Sequence, residues 1–173
     1  GTDRFWNVEI NNPAGLTISD GSLIEAGNQL KLTNGVISTS AAGKLVLLGT
    51  SPSAVAPVGG SSVSYVSGPL TKQIINGDSF VFPLGKGPVM GHRFTLTSAA
   101  GVTASFTAEF FSPNTTATSI APPLEVTNTL EYWNVSSPSA ASARIKIGWD
   151  PQSDLTPLVT GNGLADMRVA RYI

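Results

Sequence analysis

His92 is the chain's one histidine, and no cysteine is present. A Ser-His-Asp triad needs an imidazole with an acid and a nucleophile in fixed geometry, and no G-x-S-x-G elbow surrounds any serine. His92 follows Gly91 at the head of an alternating segment, so it reads as a packing residue at a strand edge. Lack of cysteine excludes a disulfide framework, a thiolate metal site and a cysteine nucleophile together. Glu109, Glu125, Glu131, Asp150, Asp154 and Asp166 are the carboxylates that could serve in pairs. Glycoside hydrolysis needs two of them within about 10 Å across a cleft. None has a distinguishing neighbourhood, so a weak glycoside hydrolase stands third among the functional readings.

Two loops invite cofactor readings. "GWDPQSD" places Asp150 and Asp154 on one turn, a set of oxygens that Ca²⁺ could use, but it lacks the acid count and the glycine of an EF-hand loop. Asp150-Pro151 starting a turn is the simpler account. "FPLGKGP" has glycines and Lys86, but not the spacing of a phosphate-binding loop or a helix behind it. No metal and no cofactor is expected.

Aromatic side chains carry the binding hypothesis. Tyr132 and Trp133 are neighbours on one strand, so they face opposite sides and one of them can be exposed. Trp6 and Trp149 sit near strand ends. Flat rings on a β face stack on sugars, whereas a β core also takes one or two tryptophans. The candidate ligand-binding residues are Trp133, Tyr132 and Trp149. On alternation, Phe80, Phe82, Phe94, Phe106 and Phe110 belong to the core.

The elements that must position these residues are β. The 173 residues are 41% hydrophobic and 12% charged, with 18 glycines and a net charge of −1. That is enough apolar matter for a core, with a surface solubilised by hydroxyls and amides. Lys and Arg are scattered singly, which argues against nucleic acid. No apolar run is long enough to insert in a membrane. The opening "GTDRFWNVEI" lacks Met and a leader pattern, which points to a piece of a longer polypeptide.

Apolar pairs recur at Val8/Ile10, Leu16/Ile18, Leu23/Ile24, Leu30/Leu32, Val36/Ile37 and Leu45/Leu47. Val8 then maps to Leu30, Leu16 to Ile37 and Leu23 to Leu45, a period of about 22 residues, the length of one three-sided coil of a parallel β-helix. Thr17, Lys31 and Val46 point outward in this scheme, and Gly15, Gly21, Asn34-Gly35 and Gly43 turn the corners. Asn34-Gly35 between two apolar runs is also a hairpin signal, which would make the segment an antiparallel meander. Stacked coils need three or more repeats, and about two are visible, so further coils are expected before residue 1.

Residues 50 to 62, "TSPSAVAPVGGSS", form a Pro/Gly/Ser-rich break. After it the runs lengthen and become aromatic. In 102–111 Val102, Ala104, Phe106, Ala108 and Phe110 share one face while Thr103, Ser105, Thr107 and Glu109 share the other. Eight or nine such segments joined by "INGD", "SPNTT" and "GNG" predict an antiparallel β-sandwich. The fold class is therefore all-β with almost no helix: β-helix-like coils over 1–60, the end of a longer repeat region, then a β-sandwich capping domain over 61–173.

In order, "LTNGVIST", "SYVSGPLTKQI", "SFVFPLGKG", "HRFTLTS", "EYWNV", "IGWDPQS" and "MRVARYI" resemble the serial motifs of large secreted surface proteins of the Bacteroidetes phylum. These are adhesin-like, leave by the type IX route, and place β-helix coils before a β-sandwich and further modules. The resemblance covers most of the chain and implies a secreted, cell-surface setting, with more modules and a sorting domain beyond Ile173. The expected function is a non-enzymatic structural or adhesive module whose partners are neighbouring modules of the parent chain. The alternative is a carbohydrate-binding module whose partner is a surface polysaccharide or glycan.

Overall fold

The computed structural model describes residues 1–87, 89–90, 94–113, 122, 128–149, 153 and 169. Fifteen strands and no α-helix are found among them: β1 (Thr2–Asn11), β2 (Leu16–Thr17), β3 (Leu23–Asn34), β4 (Ile37–Ser38), β5 (Lys44–Leu47), β6 (Val55–Ala56), β7 (Val66–Ser67), β8 (Leu70–Ile75), β9 (Ser79–Phe82), β10 (Leu84–Lys86), β11 (Val89–Met90), β12 (Phe94–Ser98), β13 (Thr103–Phe111), β14 (Tyr132–Ser136) and β15 (Ala143–Ile147). The chain is all-β, with stacked parallel coils followed by antiparallel sheets.

The coils lie in three parallel ladders. In the first, the front half of β1 lies on the front half of β3, which lies on β5, which lies on β8. In the second, the back halves of β1 and β3 pair and β6 follows. The third runs β2, β4, β7, β10. A register shift between Phe5 and Asn7 separates the first two ladders, so one long strand supplies a rung to each. Val8 pairs with Leu30 and Leu16 with Ile37, as the repeat predicts, but Leu23 faces Lys44 and Ile24 faces Leu45, one residue away from the expected match. The offset sets Ile24, not Leu23, in register with the buried Leu45 on the inner face.

The hairpin alternative at Asn34-Gly35 does not occur. β3 and β4 belong to different ladders, each parallel to its neighbours, and the dipeptide turns a corner between them. Gly35 adopts φ 98°, and a Cβ there would lie 1.8 Å from the Asn12 carbonyl oxygen in the coil below, so glycine is required by both dihedral and space. Thr17 and Lys31 are exposed and Val46 half-buried, in keeping with an outward face.

Inward side chains of successive coils stack in columns, most of them apolar. One column reads Phe5, Ala26, Leu47, Lys72, Phe106, another Ile24, Leu45, Leu70, Ala108, and a third Leu16, Ile37, Val66, Leu84. Burying such a column removes aliphatic surface from water at roughly 25 cal/mol per Å².

At β10 the winding reverses. β8, β9 and β10 follow one another as a fourth turn, although β9 is not paired with β6. The chain then doubles back, and β11 pairs antiparallel with β10, β12 with β9 and β13 with β8. The same three positions are thus revisited in the opposite order. A second reversal comes next, since β14 lies antiparallel on β13 and β15 on β12. The sheet containing β13 and β14 and the sheet β15-β12-β9 meet through a layer of rings in which Trp133 lies 6.1 Å from Phe94 and 5.4 Å from Phe110. Buried side chains from Ile10 to Phe110 form one cluster on both sides of residue 60.

Candidate functional site

Strict alternation along β13 buries Ala104, Phe106, Ala108 and Phe110 and turns Ser105, Thr107, Glu109 and Phe111 outward. All five phenylalanines assigned to the core from alternation are buried there. In register across β14, Phe110 faces Trp133 and Phe111 faces Tyr132. Adjacent strand residues point to opposite sides, so Trp133 joins the inner layer and Tyr132 the outer face.

The Tyr132 ring lies flat on Phe111, with centroids 4.6 Å apart and an interplanar angle of 8°. Lys86, from β10, holds its ammonium 5.4 Å from the Phe111 ring centre and 3.6 Å from Glu109 Oε1. An outward stacked pair of rings, a cation and a carboxylate therefore share one patch. Such a patch can offer a flat apolar face and a charged hydrogen-bonding rim to a polar, ring-shaped ligand. Phe111 and Lys86 were absent from the sequence-based candidates, although the parity of 102–111 already put Phe111 on the wet side.

Trp133 is half-buried, and its indole Nε1 is enclosed with no hydrogen-bond partner among the described residues. Its ring is committed to Phe94 and Phe110. Trp149 is 49% exposed, and no ring contact joins it to Tyr132 or Trp133 among the described residues. The three candidates thus occupy three different settings: inner layer, outer pair and separate surface ring.

Of the six carboxylates, Glu109 contacts Lys86 and Glu131 is buried near Asn128. Glu125, Asp150, Asp154, Asp166 and also His92 lie outside the described residues. No group of three or more potential metal-ligating side chains is found among the described residues. A shallow hollow of about 450 Å³ opens near the ends of β12 and β15, lined in part by Thr97, Ser98, Ser142 and Arg144.

One buried charge was not anticipated. Lys72 is fully buried in the inner column between Leu47 and Phe106. Its ammonium donates to the carbonyls of Gly49 and Gln73, both at 2.5 Å, and sits 5.0 Å from the Phe80 ring centre. Loss of hydration brings its pKa down to about 8, partly opposed by the charge of Asp78. The signal was present in alternation along "LTKQII", where Leu70, Lys72 and Ile74 share a face.

Side chains also bridge successive coils on the outside. Arg4 pairs with Glu25 at 2.6 Å, Asn28 with Asn7 at 2.8 Å and Ser40 with Asp20 at 2.7 Å. Glu9 accepts from Thr33 at 2.7 Å and pairs with Lys31 at 3.0 Å. The Thr33 hydroxyl first, and Lys31 second, hold the Glu9 carboxyl below its ordinary range.

No helix among the described residues is long and apolar enough to cross a membrane. Comparison with family models, with curated proteins and with solved structures brings no match.

Proposed function

We propose that the chain is a non-enzymatic structural and adhesive module of a secreted bacterial surface protein, with neighbouring modules of that protein as its partners. The observation that carries this reading is the cross-coil bonding: successive parallel coils are joined by backbone ladders, on all three faces for the first three turns, and the first two coils are also tied by side-chain pairs outside. Load applied along such a stack is shared among many bonds at once. Incubation of the purified chain with a panel of insoluble and soluble polysaccharides tests it. No release of reducing ends is expected. Turnover that disappears on Glu109→Gln or Glu131→Gln would replace the structural reading with hydrolysis.

The second reading is carbohydrate binding, favoured by the outward Tyr132-Phe111 pair with Lys86 and Glu109 beside it. Tyr132 supplies the platform, Trp133 holds the strand from within, and Trp149 offers a separate exposed ring. Affinity electrophoresis in polysaccharide gels decides it: retardation lost in Tyr132→Ala and retained in Trp149→Ala assigns the patch.

A further inference from the structure

We propose that the hollow at the ends of β12 and β15 is a binding site for the carboxylate-bearing sugars of an acidic polysaccharide. Three connections meet there, β8 to β9, β12 to β13 and β14 to β15, and connections held by a rigid scaffold are where binding residues concentrate. They are braced against one another. Gly77 N donates to Ser98 Oγ at 2.9 Å, Gly101 N to Asn76 Oδ1 at 2.9 Å, Ser98 N to the Asp78 carbonyl at 3.1 Å and Ala99 N to the Ser142 carbonyl at 3.1 Å. The hollow is thus preformed, and at about 450 Å³ it has the volume of a small-molecule site.

The chemistry of the lining selects the ligand. Arg144 is exposed and has no ion pair among the described residues; Asp78, beside Gly77, does not reach it. Ser98 is 3% exposed, and because its oxygen accepts from Gly77 its proton remains to be given. Ser142 adds a second hydroxyl to the same hollow. A guanidinium fork with hydroxyl donors around it matches a carboxylate. The amides of Gly77, Ala99 and Gly101 are already bonded, which withholds from a phosphate dianion the nest of free N–H groups that it favours. No carboxylate belongs to the described lining, so the ammonium of a free amino acid finds no counter-charge. Hydroxyls both donate and accept, and so answer the hydroxyls of a sugar ring. Lys146 lies two residues along β15 on the same side as Arg144, about 7 Å further on. It too is exposed and has no ion pair among the described residues, so a second carboxylate on the same polysaccharide meets a second cation.

Isothermal titration of the intact chain with galacturonate oligosaccharides tests the proposal, beside parallel titrations with their methyl esters, inorganic phosphate and an oligoglutamate peptide. The free-acid oligosaccharide should bind most tightly, and its affinity should weaken as salt rises. Arg144→Gln should lower that affinity about tenfold or more, and Lys146→Gln by less. Arg144→Lys, which keeps the charge and loses the fork, should restore only part of it. Tyr132→Ala should leave it unchanged, which separates this site from the outer aromatic patch. Absence of binding up to about 5 mM oligosaccharide overturns the proposal. So does equal affinity for the methyl ester, which means recognition of neutral sugar, or phosphate or oligoglutamate binding as tightly, which means a general anion or peptide site. Indifference to Arg144→Gln in a variant with unchanged circular dichroism, or loss of binding in Tyr132→Ala, overturns it as well by placing the ligand on another surface.

Discussion

Lys72 is the residue whose burial has the clearest thermodynamic consequence. Its folded pKa of about 8 lies below the unfolded value of 10.5, so between those pH values the unfolded chain binds more protons and stability must rise with pH. Charging the buried amine costs about 3 kcal/mol below pH 8, and this penalty is relieved as pH climbs toward 10.5. Tyr65, whose phenol is raised by burial, acts in the opposite sense only above its ordinary value of 10. Urea denaturation at pH 7.5 and 9.5 should therefore give a higher midpoint at the higher pH, and Lys72→Met should flatten the difference. The corner glycines separate two kinds of constraint. Gly35→Ala meets both a positive φ and the Asn12 carbonyl, and is expected to cost at least ~3 kcal/mol. Gly21→Ala has φ 81° but nothing within 4 Å, and should cost about 1 kcal/mol in the same denaturation assay. At this scale much was legible: the inner phenylalanines and the turning glycines declared themselves by alternation and type. Lys72 did not, because a lysine within an apolar alternation reads as exposed until the carbonyls that receive it are in place.

Between strands, the parallel half was visible because an inner column demands similar side chains at a fixed interval. It stopped being visible where the intervals change. The first two coils are offset by 21 to 23 residues, but Leu30 to Val55 is 25, Ile37 to Val66 is 29 and Val66 to Leu84 is 18. The Pro/Gly/Ser-rich segment after β5 lengthens the corners on either side of β6, which still takes its place on β3, so the stack is not broken. The one-residue error at Leu23 has a similar origin: a corner can gain or lose a residue at no cost to the core, so apolar neighbours such as Leu23 and Ile24 compete for the inner place. In the antiparallel half the outer platform needed the pairing of β13 with β14, which sequence periodicity does not specify. Phe94 is the ring that ties three strands together, contacting Phe82 of β9 and Trp133 of β14 from its own place in β12. Phe94→Ala should cost about 3–5 kcal/mol, measured as a fall in denaturation midpoint. An effect of that size at an exposed aromatic such as Trp149 would contradict the assignment of inside and outside.

For the whole molecule, continuity of the buried cluster across residue 60 predicts one cooperative unfolding transition. Far-UV circular dichroism and tryptophan fluorescence should give coincident curves, and a fragment ending at residue 60 should lack the strand signature, since β5 would lose β8 and β4 would lose β7. A separated pair of transitions would show that the halves fold apart. The parallel order of the first four turns differs in kind from the antiparallel strands after β10. Copying residues 23–43 once more into the gene would insert another turn and lengthen the rod, because each parallel rung presents above what it accepts below. No such duplication works past β10, where the thread changes direction and a repeated unit would arrive pointing the wrong way. The double reversal thus fixes where this architecture can grow: elongation belongs to the front, and the rear terminates it.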